Sequence, residues 1–316
     1  MFRPLVLCSI LLMSTMALSA GTRKPARLAL VQLAGTPKQD WRQYLAQGLE
    51  AIDEAGKMQV DMIILPEGVN YGPGVDLTYA ETAIGLDSPE LVEVSKKAGR
   101  YNCYIVFPFI QKERGKIYNS AAVFGRKGEL VGVYHKTHEP RAVIETQNVT
   151  VGKEWPVFDL DIGKVGIMIC YDTITPEPAQ VYSLLGAELL IFPHLISIKN
   201  DGDQFDLRTR ARALDACVYI ASCGWARPHD AGEPGVLSGT CVINYEGRVT
   251  AQAAKDAKDI LVVTVPFARP RITKDLGVFG EAEWKKVYFG ERRPWLYKVL
   301  SDDNKAWRSW ATEENY

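Results

Sequence analysis

Along the chain, short apolar runs alternate with segments whose apolar residues recur every three or four positions. Ala26 to Ala34 (ARLALVQLA) reads as a strand, and Asp40 to Gly56 then sets Trp41, Tyr44, Leu45, Leu49 and Ile52 at helical spacing. Val60 to Glu67 (VDMIILPE) is the next strand. Ser88 followed by Pro89 opens a helix to about Arg100, serine as N-cap and proline in the first turn, before the strand Cys103 to Phe109 (CYIVFPF). YNSAAVF and LVGVYHK flank the turn GRKGE and read as a hairpin. The rhythm then repeats: KVGIMICYD (strand), PEPAQVYSLLGAE (helix), LLIFP (strand), QFDLRTRARALDA (helix) and CVYIASCG (strand), followed by the hairpin GTCVINYEGRVTAQ and the strand DILVVTVPF. Two α/β halves with hairpins and no Ser-, Gly- or Pro-rich linker predict one mixed-sheet α/β domain with helices outside. After about Ala268 the pattern is lost. Residues 268–316 carry Trp284, Trp295, Trp307 and Trp310 and read as an arm that packs on the body or on a second subunit.

Composition narrows the partners. The 316 residues are 47% hydrophobic and 24% charged with a net charge of -1, ordinary for a globular chain with a large core. Lys and Arg are scattered among Asp and Glu, so no polybasic face points to nucleic acid or anionic lipid, and a small molecule is the expected partner. The first twenty residues differ: one basic residue (Arg3), an apolar stretch from Leu5 to Leu18, then Ser19 and Ala20. That layout predicts a secretory signal peptide over 1–20 with cleavage near Ala20, leaving 21–316 as the mature domain in the periplasm or outside the cell. The stretch is short of the roughly 20 apolar residues that a spanning helix needs, and no other segment approaches that length.

Three predicted strand ends present reactive groups: Glu67 closing MIILPE, Lys136 closing VGVYHK and Cys170 closing GIMIC. Strand ends in α/β sheets gather functional side chains because the sheet fixes them while the loops leave them accessible. Each alone is ordinary, since a free Cys is most often a buried small hydrophobe. Together they form a chemical unit. A thiol with pKa near ~8.5 needs a base to become a nucleophile. A carboxylate supplies that base, and a lysine stabilises both the thiolate and the oxyanion formed on a carbonyl. The four histidines show no metal-ligand spacing, so no metal site is expected from them.

These segments, in this order, resemble the nitrilase or carbon-nitrogen hydrolase superfamily: LPE with Glu67, YNSAAVF, YHKTH with Lys136, GKVGIMICYD with Cys170, RARALD and RRPWLY. The resemblance covers most of the mature chain. It implies an α-β-β-α sandwich that pairs with a second copy, as a homodimer or higher homo-oligomer. Glu67 is implied as general base, Lys136 as oxyanion stabiliser and Cys170 as nucleophile, with the Tyr171 backbone N–H completing the oxyanion hole. A second glutamate of the family stands seven residues before a glycine that precedes the PVF strand, which selects Glu145, seven before Gly152. Glu139 stands where the family holds an apolar residue and is the competitor.

The same resemblance implies a thioester acyl-enzyme resolved by water with no metal or organic cofactor, and CYD is closer to the amidase and carbamoylase branches than to nitrile-cleaving members. Nitrile hydrolysis and a secreted, catalytically inactive binding protein are the alternatives. Members that accept a carboxylate tail resemble CYDxRFxE. Ile174 stands at the arginine position, so neutral, apolar or cationic acyl tails are expected. His194, just after LLIFP, is a further candidate to line the pocket. Cys103, Cys217, Cys223 and Cys241 lie in apolar text, where buried free thiols and disulfides are both open.

Overall fold

In the computed structural model, residues 23–35, 40–195, 198–226, 239–254, 257–266, 273–275 and 281–301 are described. The predicted signal peptide, and Trp307 and Trp310 of the arm, lie outside them. In chain order the elements are β1 (Ala26–Gln32), α1 (Trp41–Gly56), β2 (Met62–Ile64), α2 (Tyr79–Thr82), α3 (Pro89–Tyr101), β3 (Tyr104–Glu113), β4 (Lys116–Phe124), β5 (Leu130–His135) and α4 (Arg141–Gln147). The second half holds β6 (Phe158–Leu160), β7 (Gly163–Ile167), α5 (Glu177–Leu184), β8 (Leu189–His194), α6 (Ile198–Ala216), β9 (Tyr219–Gly224), β10 (Cys241–Ile243), β11 (Val249–Gln252) and β12 (Asp259–Val265).

The strands form two six-stranded mixed sheets, ordered β12-β1-β2-β3-β4-β5 and β11-β10-β9-β8-β7-β6. Period-two alternation assigns the two faces of each strand. In β1, Leu28 and Leu30 point inward to meet Val165, Ile167, Leu189 and Ile191 of the other sheet, while Ala29 and Val31 point outward beneath α1 and α3. The second sheet buries Leu190, Phe192 and Ile220 beneath Tyr182 of α5 and Phe205 and Ala213 of α6. The result is the expected α-β-β-α sandwich, with one core between the sheets and one on each outer face.

Local signals set the boundaries. Asp40 caps α1 by accepting the Arg42 amide at 2.9 Å, and Ser88 caps α3 by accepting the Leu91 amide at 3.3 Å. Strand β12 returns to pair antiparallel with β1, so the last strand closes the first sheet. The sheets are also joined at their ends: Gly35 N–H donates to the Ala226 carbonyl at 2.9 Å and Ala226 N–H to the Leu33 carbonyl at 2.7 Å. Cys103, Cys217, Cys223 and Cys241 are buried free thiols. Among the described residues of the arm, Trp295, Leu296 and Leu300 stand out from this chain at 64%, 67% and 68% exposure.

Candidate active site

Strands β2, β5 and β7 deliver Glu67, Lys136 and Cys170 to one cavity of about 150 Å³, whose wall also includes Tyr71, Tyr79, Asn119 and Val143. None of the three lies within a strand. Glu67 sits three residues past β2, Lys136 directly after β5, and Cys170 opens a 3-10 turn, Cys170–Thr173, three residues past β7. The expectation that Cys170 ends the strand itself is thereby refined. Its φ of 45° turns the chain out of the sheet and carries the sulfur to the rim.

Glu67 is held from several sides. Its Oε1 accepts Asn119 Nδ2 at 2.8 Å and Lys136 Nζ at 3.0 Å; its Oε2 accepts the Leu195 amide at 2.8 Å. The Glu67 carbonyl accepts Trp225 Nε1 at 2.7 Å. Leu195 and Trp225 belong to the opposite sheet's connections, so the carboxylate is fixed across the sandwich. The Cys170 thiol donates to the Leu195 carbonyl at 3.9 Å, beside the Glu67 carboxylate, whose charge acts on it. Burial, then the Glu67 charge, push the thiol well above its ordinary pKa against the opposing pull of Lys136, so the resting sulfur is protonated.

The second carboxylate is where the sequence reading fails. Glu139 Oε2 lies 3.0 Å from Lys136 Nζ and its side chain is 1% exposed. Glu145 stands on the solvent face of α4, 59% exposed, and pairs with Arg141 at 2.7 Å. Helix geometry supplies the reason. Val143 of α4 lines the cavity, and a residue two positions on is turned about 200° around the axis, away from it. Gly152 does lie against the site: its N–H donates to the Lys136 carbonyl at 2.8 Å, and a Cβ there would strike the His135 carbonyl. The spacing rule located the glycine but not the carboxylate.

Burial lowers the Lys136 pKa, but Glu67 and Glu139 together outweigh it and hold the ammonium charged. Burial, and the repulsion of Glu67, raise Glu139 above the usual carboxylate range despite Lys136. A buried ammonium between two carboxylates can stabilise negative charge that develops beside it.

A sequence model of the family described as Carbon-nitrogen hydrolase matches residues 27–275. The chain belongs to the carbon-nitrogen hydrolase family. It is a hydrolase of carbon-nitrogen bonds other than peptide bonds. Among curated proteins, this hydrolase is similar to the omega-amidase NIT2 of Bos taurus, 32% identical over 282 residues that span 86% of this chain and 97% of that one. It is also similar to nitrilase homolog 2 of Dictyostelium discoideum, 33% identical across 90% of this chain and 85% of that one. Among solved structures, Nit3 of Saccharomyces cerevisiae superposes with a TM-score of 0.67 at 25% identity, covering 77% of this chain and 90% of that one. The amidase from Nesterenkonia sp., in a mutant with an acetamide moiety covalently added at its active-site cysteine, shares the fold at a TM-score of 0.69 and 17% identity, covering 88% and 97% of the two chains.

Of the expected pocket residues of this hydrolase, Tyr171 lines the cavity, while Ile174 and His194 are not among its walls. Ile174 follows the 3-10 turn, and its carbonyl accepts Arg212 Nη2 at 3.3 Å. His194, the last residue of β8, is fully buried, its ring against Phe192 and Phe205 and its Nε2 3.1 Å from Ser222 Oγ. Burial pushes its pKa down to about 3. His138 orders the loop after Lys136: its N–H donates to Asp172 Oδ1 at 2.9 Å. Asn119, Tyr79 and Asp172 were not singled out beforehand. Asn119 lay inside the quoted YNSAAVF segment, and its alternation with Tyr118 placed it on the same face of β4 as the buried Ala121, the one available signal.

Proposed function

We propose that this hydrolase cleaves small primary amides whose acyl groups carry no negative charge, with Cys170 as nucleophile, Glu67 as general base and acid, and Lys136 with the Tyr171 N–H as the oxyanion site. The observation that carries the reading is the Glu67–Lys136–Glu139 ion triplet beside the Cys170 thiol in one cavity. Cys170 Sγ attacks the amide carbon as its proton passes to Glu67, and the carbonyl electron pair moves onto an oxygen facing Lys136. The tetrahedral adduct collapses, the C–N bond breaks, and Glu67 returns the proton to the departing ammonia. Water, deprotonated by Glu67, then attacks the thioester, and the carboxylic acid leaves as the thiol is restored. Glu139 acts here in the place first assigned to Glu145, holding Lys136 in position.

Support for amides over nitriles comes from the CYD segment and from the relatives named omega-amidase and amidase. Support for a small, uncharged acyl group comes from the cavity. A space of about 150 Å³ accepts a guest of about benzene size. Its described wall sets two carboxylates against one ammonium that already bridges them, and Tyr71 and Tyr79 add only neutral phenols. A buried carboxylate tail there would lose its hydration without gaining a counter-charge. The test is ammonia release from a panel of amides, N-carbamoyl amines and nitriles, with intact-mass detection of an acyl adduct on Cys170. Turnover of nitriles alone, or an adduct elsewhere, refutes the reading.

Two further readings belong to it. The chain is exported, residues 1–20 serving as a cleaved leader, which N-terminal sequencing of the protein from its native host tests. It also pairs with a second copy through the outer face of α5 and α6. That face leaves Leu184, Leu185 and Leu207 at 48%, 53% and 67% exposure, and light scattering reports the mass.

A further inference from the structure

We infer that Asp172 is a positioning residue for the reaction, one buried carboxylate that fixes the turn carrying Cys170 against the loop carrying Lys136. This rests on the proposed roles of those two residues. Asp172 is 0% exposed. Its Oδ2 accepts the Ile169 amide at 2.7 Å while its own N–H donates to the Ile169 carbonyl at 3.0 Å. The two bonds close a ring around Cys170 and Tyr171 and brace the left-handed backbone at Cys170, a conformation that residues with a Cβ adopt only when their surroundings enforce it.

The same carboxylate reaches the other sheet. Oδ2 also accepts the Tyr134 hydroxyl at 2.7 Å, and Oδ1 accepts Thr137 Oγ1 at 3.0 Å and the His138 amide at 2.9 Å. Tyr134 precedes Lys136 by two residues, and Thr137 and His138 follow it. Donors on both sides of the lysine therefore converge on a group two residues past the nucleophile. Hydrogen bonds to an ionised acceptor are short and directional, so this cluster fixes position more tightly than apolar packing does. A shift of either segment would move Lys136 relative to Cys170, and displacements near 1 Å cost about 10²-fold in rate.

Tyr134→Phe and Thr137→Val each remove one donor and keep the charge, and Asp172→Asn keeps the volume and turns one accepting edge into a donor. The experiment measures kcat and KM for a neutral primary amide, and separately the second-order rate of Cys170 alkylation by iodoacetamide, both normalised to the folded fraction. The expected result is a fall in kcat on the order of tenfold for each single donor variant and 10²-fold for Asp172→Asn, with KM held within about twofold and alkylation slowed in parallel. Alkylation reports on the thiol turn even where the chosen amide is the wrong substrate, so failure of the amidase reading is distinguishable from failure of this one. A folded Asp172→Asn with wild-type kcat and wild-type alkylation overturns the inference. So does a loss that vanishes after normalisation in all three variants.

Discussion

Glu139 meets Lys136 at 3.0 Å, three residues along the chain, and the contact is buried to 1% and 3% side-chain exposure. Removing the charge of Glu139 leaves a buried ammonium with one counter-charge in place of two. Glu139→Gln is therefore expected to lower kcat/KM by about 10²-fold or more, within the range for positioned acid-base groups. Glu145→Gln, which disturbs only an exposed pair worth about 0.3–0.5 kcal/mol, is expected to leave it within twofold. Steady-state kinetics on one amide decide between the two, and the reverse ranking refutes the placement.

Cys170→Ala keeps the Cβ, and hence the same backbone constraint at φ 45°, while removing the sulfur. Turnover is expected to fall by on the order of 10⁴-fold or beyond, with the melting temperature close to that of the parent. Turnover within about 10²-fold of the parent would refute the nucleophile assignment.

The cavity wall predicts a charge preference. Isocaproamide and succinamate have similar shapes and differ in an isopropyl against a carboxylate end. The neutral amide is expected to be favoured by about 10²-fold in kcat/KM, the equivalent of about 2.7 kcal/mol for a desolvated, unpaired charge. Preference for succinamate would point to a cation reaching the cavity. The sequence offers Arg208, Arg210 and Arg227 for that role: neither Arg208 nor Arg210 is among the cavity walls, Arg210 is engaged with the Gly247 carbonyl, and Arg227 lies outside the described residues.

His194 predicts an acid limb of stability. Its folded pKa is pushed down to about 3 from an ordinary value of 6.5. Below about 6.5 the unfolded chain takes up a proton that the folded chain refuses. Stability is lost as pH falls from about 6.5 toward about 3, at up to about 1.4 kcal/mol per pH unit for one proton. His194→Gln removes that proton from the balance, so its denaturation midpoint at pH 4 relative to pH 7 should drop less than the parent's. An equal drop would mean that carboxylates alone set the acid limb.

What the sequence disclosed follows from periodicity. Every long strand of both sheets was legible because burial on one or both faces leaves a continuous or alternating apolar run, as in β1, β3 and β8. Short elements without such a run were not: α4 has no buried residue, so nothing in Arg141–Gln147 distinguished it from a loop. That gap misplaced Glu145, since only the helix turns it to solvent. Glu67, Lys136 and Cys170 meet in one cavity because each follows closely on a strand end, whereas Ile174 and His194 lie outside its walls, since sequence adjacency does not say which wall of a strand or turn faces a cavity. The division of one mixed domain into two stacked sheets was implied by family resemblance, since β12 pairs with β1 across the whole intervening chain.

Glu67 and Cys170 stand on different sheets, with the Leu195 and Trp225 bonds to Glu67 crossing between them. The thickness of the sandwich is thus a ruler for the chemistry. Side chains between the sheets, such as Val165, Ala221 and Cys223, help to set that thickness and are not among the cavity walls. On the proposed roles of Glu67 and Cys170, a layer that swells or thins by a methyl group is expected to alter the reach from base to sulfur in a molecule that is still folded, a change of gauge that precedes melting.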